Sequence, residues 1–134
     1  MFEMLLGHLI GDYLLQNNLL ALNKHRYNLF GWIACFVHCC FYTTAVIIMM
    51  ADFRFLWIII VFLSHFLIDK FGVAEKYLKL VRGRSLVEFI QTKNNYNFTP
   101  FVMVQAGISA FVYVVCDNTM HLLVMYVGYN FIGK

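Results

Sequence analysis

The sequence predicts an all-α integral membrane protein, a bundle of four transmembrane helices with a basic cytoplasmic connection between the third and the fourth. Three observations predict it. The chain is 62% hydrophobic and 13% charged, with a mean hydropathy of +0.72, whereas soluble domains carry about 25% charged residues. Its apolar residues fall into runs near the ~20 residues a helix needs to cross the hydrocarbon core. Its basic residues cluster in the connections between those runs.

The first run covers about 4–22, from Met4 to Leu22, and the second 29–50, from Leu29 to Met50. The third covers 55–73, from Phe55 to Val73, and the fourth 101–132, after the single proline, Pro100. One transmembrane domain of residues 1–134 contains all four. The fourth run is long, since about 32 residues of helix at ~1.5 Å each extend ~48 Å. Two spans would each be too short, so one tilted or kinked helix is expected. The start Met-Phe-Glu lacks a basic n-region and no small-residue cleavage site follows, so the first run is expected to stay in the mature protein. Cys35, Cys39, Cys40 and Cys116 all lie in apolar runs and read as small packing residues, not as a disulfide framework.

Lys24 and Arg26 separate runs one and two, while Lys70, Lys76, Lys79, Arg82, Arg84 and Lys93 end run three or follow it. Arg54 and Lys134 fall on the opposite side. The positive-inside rule then puts both termini outside and the loops 23–28 and 74–99 in the cytoplasm. Within 74–99 the stretch KYLKLVRGRSLVEFIQ alternates basic and apolar residues before a polar turn, NNYNFT. It reads either as a short helix on an anionic lipid surface or as a solvated basic loop. The lipid bilayer is the expected partner and homo-oligomerisation stays open. The net charge of +3 is accounted for by topology and argues against nucleic-acid binding.

Ionisable residues inside the runs carry the functional signal. His8, His38, His65 and His121 lie there, with Asp12, Asp69 and Asp117. A charge near the centre of a membrane helix costs roughly 2.5 to 3.5 kcal/mol even on a lenient scale. Such groups are expected to face one another. Residues four apart share a helix face, which pairs His8 with Asp12 in GHLIGDYLLQ and His65 with Asp69 in SHFLIDKF. A third pair, Asp117 and His121 in DNTMH, has the reverse order. With runs one and three directed inward and run four outward, every histidine lies on the outer side of its pair and every aspartate on the inner side. His38, midway along run two, reaches the same region. Gly7 and Gly11 form a small-xxx-small pair that permits close helix approach, and Ser64 plays the comparable part beside His65. Gln16 and Tyr42 supply supporting hydrogen bonds.

Three uses of this set compete. Imidazole and carboxylate on facing helices are suitable ligands for a divalent metal, Zn²⁺ among them. An ion with an open position makes a hydrolytic nucleophile from water, which would give a metal-dependent hydrolase acting on a membrane-accessible substrate. The same groups also suit an ion, proton or solute transporter or channel component. Interhelical hydrogen bonding in a non-catalytic membrane protein that acts through partners is the third. The expected metal ligands are His8, Asp12, His38, His65, Asp69, Asp117 and His121, supported by Gln16, Tyr42, Lys70 and Asn118. His25 reads as an exposed loop residue, and Lys24 beside it as a contact for a phosphate headgroup. Lys70 reads as snorkelling to the interface or contacting an anionic substrate.

HLIGDYLLQ followed by Asn23 and Lys24, then His38 with Tyr42, then SHFLIDK, and finally Asp117 to His121 resemble the family grouped as domain of unknown function 3307. The resemblance covers nearly the whole chain in the right order. Asn118 departs from it, since Gln is expected after that aspartate. The resemblance implies a protein of bacteria and their phages, hence a bacterial inner membrane or the host membrane if phage-encoded. It supports the grouping of residues and implies no reaction.

Overall fold

The structure, a computed structural model, describes residues 1–82 and 100–133. The described residues are helical and include no strand. They form two compact units: Met1–Phe71 with His121–Lys134, and Gly72–Met120.

In the first unit, α1 (Phe2–Leu9) runs directly into a π-turn segment, Ile10–Leu14. The chain breaks at residues 15–17 and restarts as a short α2 (Asn18–Asn23). This corrects the expectation of one helix over 4–22. The cause is the polar triplet Gln16-Asn17-Asn18: the Asn17 side chain accepts from the Leu20 amide at 2.9 Å, and such a cap starts a new helix instead of continuing the old one. Residues 2–14 alone would extend about 20 Å, short of the ~30 Å core.

Helix α3 (Leu29–Met50) opens on Asn28, whose side chain accepts from the Gly31 amide at 2.8 Å, and stops where Ala51 turns left-handed at φ 50°. Helix α4 (Phe55–Phe71) ends at Gly72, whose φ of 56° suits a residue without a side chain. Helix α6 (Pro100–Ile132) is a single helix, as its length required, and its final part from His121 belongs to the first unit. Two helices are long and apolar enough to cross a membrane, Leu29–Met50 and Val104–Ile132, and α4 qualifies when taken together with the helix after it, α5 (Val73–Arg82). Among the described residues there are thus two or three membrane-type helices by length and composition, which does not confirm the expected four.

α3 is the centre of the first unit and packs against α1, the π-turn, α2 and α4. Met4, Tyr42, Val46, Trp57, Val61 and Met125 form the apolar core, joined by Met50, Ile60 and Tyr129. Large apolar side chains point outward along α3, including Phe30, Ile33, Phe36, Phe41 and Ile48, while His8, His38, His65, Asp69 and Lys70 are buried. That polarity is the reverse of a soluble domain and suits a lipid surround. At one end Arg54 grips Asp52 at 2.7 Å and donates to the Ile132 carbonyl oxygen at 3.3 Å. The hydrogen bond from Arg54 holds the Asp52 carboxyl below its usual range.

In the second unit, α5 covers the start of the predicted basic connection and is amphipathic, with Lys76, Tyr77, Lys79, Leu80 and Val81 exposed. The rest of that connection, with Arg84, Lys93 and the NNYNFT turn, lies outside the described residues. The four cysteines are free thiols, with Cys35 and Cys39 buried.

Gly7 and Gly11 let α1 and its π-turn lie directly on α3. A Cβ at Gly7 would stand 2.7 Å from the Val46 Cα, and one at Gly11 2.6 Å from the Tyr42 ring. Gly7→Ala must push backbone from backbone, so it should cost ~1–3 kcal/mol and lower the thermal midpoint in detergent. Gly107→Ala meets nothing within 4 Å among the described residues. It should leave the midpoint unchanged or raise it, since Ala is the better helix former by roughly 0.5–1 kcal/mol.

Candidate metal centre

Six of the seven predicted ligands gather in the first unit: His8 and Asp12 from the first helical segment, His38 from α3, His65 and Asp69 from α4, and His121 from α6. Asp117 and Asn118 are half-buried on α6 within the second unit, and Asp117 precedes His121 by one helical turn.

Four atoms converge at the middle of the six. His38 Nε2 and His65 Nε2 are 2.9 Å apart. Asp12 Oδ1 lies 3.2 Å from the first and 3.3 Å from the second, and Asp69 Oδ2 lies at the same two distances. The π-turn brings Asp12 here, in the kind of local widening that often occurs at functional sites. Two buried carboxylates in so small an apolar volume need a cation or a proton among them. Asp12 Oδ1 is buried and, although two ring nitrogens stand at 3.2 and 3.3 Å, makes no well-aligned hydrogen bond among the described residues.

The separations within the Asp12, His38 and His65 triangle suit a metal ion, since ligand bonds of about 2.0 Å in a tetrahedron set ligand-to-ligand edges of about 3.3 Å and the three are 2.9, 3.2 and 3.3 Å. Asp12, His38 and His65 form one group that can hold an ion, and His65, Asp69 and His121 form another. Asp69 reaches both, because its Oδ1 lies 3.5 Å from His121 Nε2. His8 stands at the edge, its Nδ1 3.4 Å from Asp12 Oδ2 and 2.9 Å from the Tyr42 hydroxyl.

Packing holds the rings. The Tyr42 ring stacks on His65 at 3.5 Å, and His121 lies 4.1 Å from His65 between centroids. The Tyr42 hydroxyl also reaches Met125 Sδ at 3.4 Å. Gln16, within the helix break, bonds to the Asp12 backbone oxygen and to Lys24, each at 3.2 Å, once its amide is oriented to suit both. The Ser64 hydroxyl donates to the Val61 carbonyl within its own helix.

Two lysines differ from expectation. Lys70 does not snorkel: it is 1% exposed, with Nζ on the Arg26 carbonyl at 2.7 Å and over the Trp32 ring at 4.3 Å. The loop after α2 supplies the acceptors that would otherwise have to be water or headgroups. Lys24, expected at a phosphate headgroup, turns inward onto Asp69 Oδ2 at 2.7 Å. It is the charged partner that reading by helical spacing missed. His25 is exposed as expected, yet its Nδ1 lies 2.7 Å from the Asp69 carbonyl oxygen. The available signal was the position of Asn23 and Lys24 in the same ordered pattern as the His and Asp pairs.

These features define an all-helical protein of membrane-spanning type with a buried His/Asp cluster able to hold a metal ion. The chain belongs to the family described as protein of unknown function (DUF3307), whose model matches residues 1–134. No curated protein and no solved structure matches it.

Tyr42→Phe should keep the ring on His65 and remove the hydroxyl from His8. The expected cost is ~1–3 kcal/mol, read as a lower thermal midpoint. Tyr42→Ala should cost more, since the stack and the core contact are lost as well.

Proposed function

We propose that the protein is a membrane-embedded divalent-metal protein, with Asp12, His38, His65 and Asp69 as the ligands of its principal ion. The 3.2–3.3 Å separations of Asp12 Oδ1 and Asp69 Oδ2 from the His38 and His65 Nε2 atoms, themselves 2.9 Å apart, carry this reading. Two imidazole nitrogens and two carboxylate oxygens suit Zn²⁺ first and other first-row divalent ions next. A divalent ion would add positive charge beside Asp12 and Asp69, the second of which Lys24 already reaches. His8 and Tyr42 hold Asp12 and His65 in place. By the distribution of basic residues, the loops 23–28 and 74–99 face the cytoplasm.

A hydrolytic function is the second reading, favoured by the group of His65, Asp69 and His121. Four protein atoms leave a tetrahedral ion no open position, as in structural sites, whereas a three-ligand ion keeps one. An ion of the second kind supplies Lewis acidity and lowers the pKa of water to about 7. His121 would hold it with Asp69 and His65, and because one imidazole nitrogen ligates one ion at a time the two positions would be alternatives. The substrate would be an ester reachable from the bilayer.

Elemental analysis tests the principal reading. Wild type purified in detergent should carry stoichiometric Zn, Mn or Fe, and His65→Ala should not. Metal-free wild type that matches the variant after supplementation would reject the centre. For the hydrolytic reading, metal-dependent turnover of lipid-linked esters should disappear in His121→Ala while the principal ion is retained. No turnover across such esters would remove that reading and leave the metal centre standing.

A further inference from the structure

One oxygen of the centre is claimed from two sides. Asp69 Oδ2 faces His38 Nε2 and His65 Nε2 at 3.2 and 3.3 Å, and it also accepts from Lys24 Nζ at 2.7 Å. Lys24 is held in this position. It is 9% exposed, and the loop that carries it is fastened to the end of α4 at two points. Lys70 Nζ reaches the Lys24 and Arg26 carbonyls at 3.3 and 2.7 Å, and His25 Nδ1 lies 2.7 Å from the Asp69 carbonyl. Gln16 accepts from Lys24 Nζ at 3.2 Å in its satisfied orientation.

We propose that Lys24 is a tethered cation that competes with the divalent ion for Asp69, so that the centre exchanges its ion instead of holding it permanently. This inference rests on the metal reading above. The ammonium repels a divalent ion gathered by the same carboxylate. When the ion is gone, the ammonium supplies the fixed positive charge to a buried carboxylate that otherwise faces imidazoles. Removing its charge therefore acts in one direction on both states. The loaded centre loses a repulsion, and the empty centre loses its compensation. Each change strengthens ion binding. A lysine that only glued the helices together would give no such gain.

The test uses the full chain in detergent, titrated with Zn²⁺ and with Mn²⁺ against a chromophoric chelator, for wild type, Lys24→Met, Lys24→Gln and His65→Ala. Both Lys24 variants should bind about tenfold tighter or more. Their thermal midpoints should fall below wild type in EDTA, and the gap should close in Zn²⁺. Affinity equal to or weaker than wild type overturns the proposal. Wild type that binds no better than His65→Ala overturns the metal reading itself, a result distinguished by needing no Lys24 variant. If Lys24→Met does not fold, Lys24→Gln carries the comparison, since its amide can still donate to Asp69. Rescue by Zn²⁺ of a variant that unfolds in EDTA supports the proposal, and failure of both variants to fold under either condition counts against it.

Discussion

The structure of the first unit depends on keeping two carboxylates and two imidazoles together where no bulk water compensates them. Asp12 and Asp69 come from different helices and each meets His38 and His65 at 3.2–3.3 Å. No single helix can arrange this. The first segment must press onto α3, which is why Gly7 and Gly11 lie against Val46 and Tyr42. The rings must be oriented without many polar partners, and stacking on Tyr42 does this for His65. The loop after α2 must close over the end of α4, and Lys70 secures it there. Loss of any of these contacts would separate like charges from their partners in a low-dielectric interior, where the cost is highest.

The same constraint explains the inverted polarity of the unit. Phenylalanine and isoleucine side chains cover the outside of α3, while histidine, aspartate and lysine fill the space between helices. A membrane removes the hydrophobic gain from burying apolar groups between helices, so association rests on packing, small residues and polar contacts. The apolar core around Trp57, Val61 and Met125 supplies the packing. The His/Asp cluster supplies polar contacts that only the assembled bundle can satisfy.

Much of the site was legible because helices convert spacing into proximity. His8 with Asp12 and His65 with Asp69 are four residues apart, and each pair is in contact at 3.4 and 3.3 Å. His38 had no partner within its helix, yet its depth along α3 was enough to place it near the others. The broken first segment was harder to read. Hydropathy over 4–22 stays high enough for a span, and the deciding event was a side-chain cap by Asn17, local chemistry that an average conceals. Lys24 and Lys70 were misread for a related reason. Basic residues at the ends of runs obey a statistical rule about membranes, but in this chain the loop carbonyls of Lys24 and Arg26 and the Asp69 carboxylate offered better partners than headgroups. Loop geometry carries no period, so spacing could not reveal it.

The π-turn over Ile10–Leu14 has a consequence for how such chains are compared. Closed by the Leu15 amide on the Ile10 carbonyl at 3.0 Å, it is equivalent to an α-helix into which one residue has been inserted. A helical wheel drawn through Gly7 to Gln16 at a constant 100° per residue goes out of phase after Asp12. It puts Gln16 one turn further along the ligand face, whereas the chain has already left the helix there. Removing one residue from this turn would restore ordinary periodicity and rotate the chain that leads to Lys24. The irregular turn is thus a counting device: it lets one segment present Asp12 inward and still deliver the following loop to the end of α4.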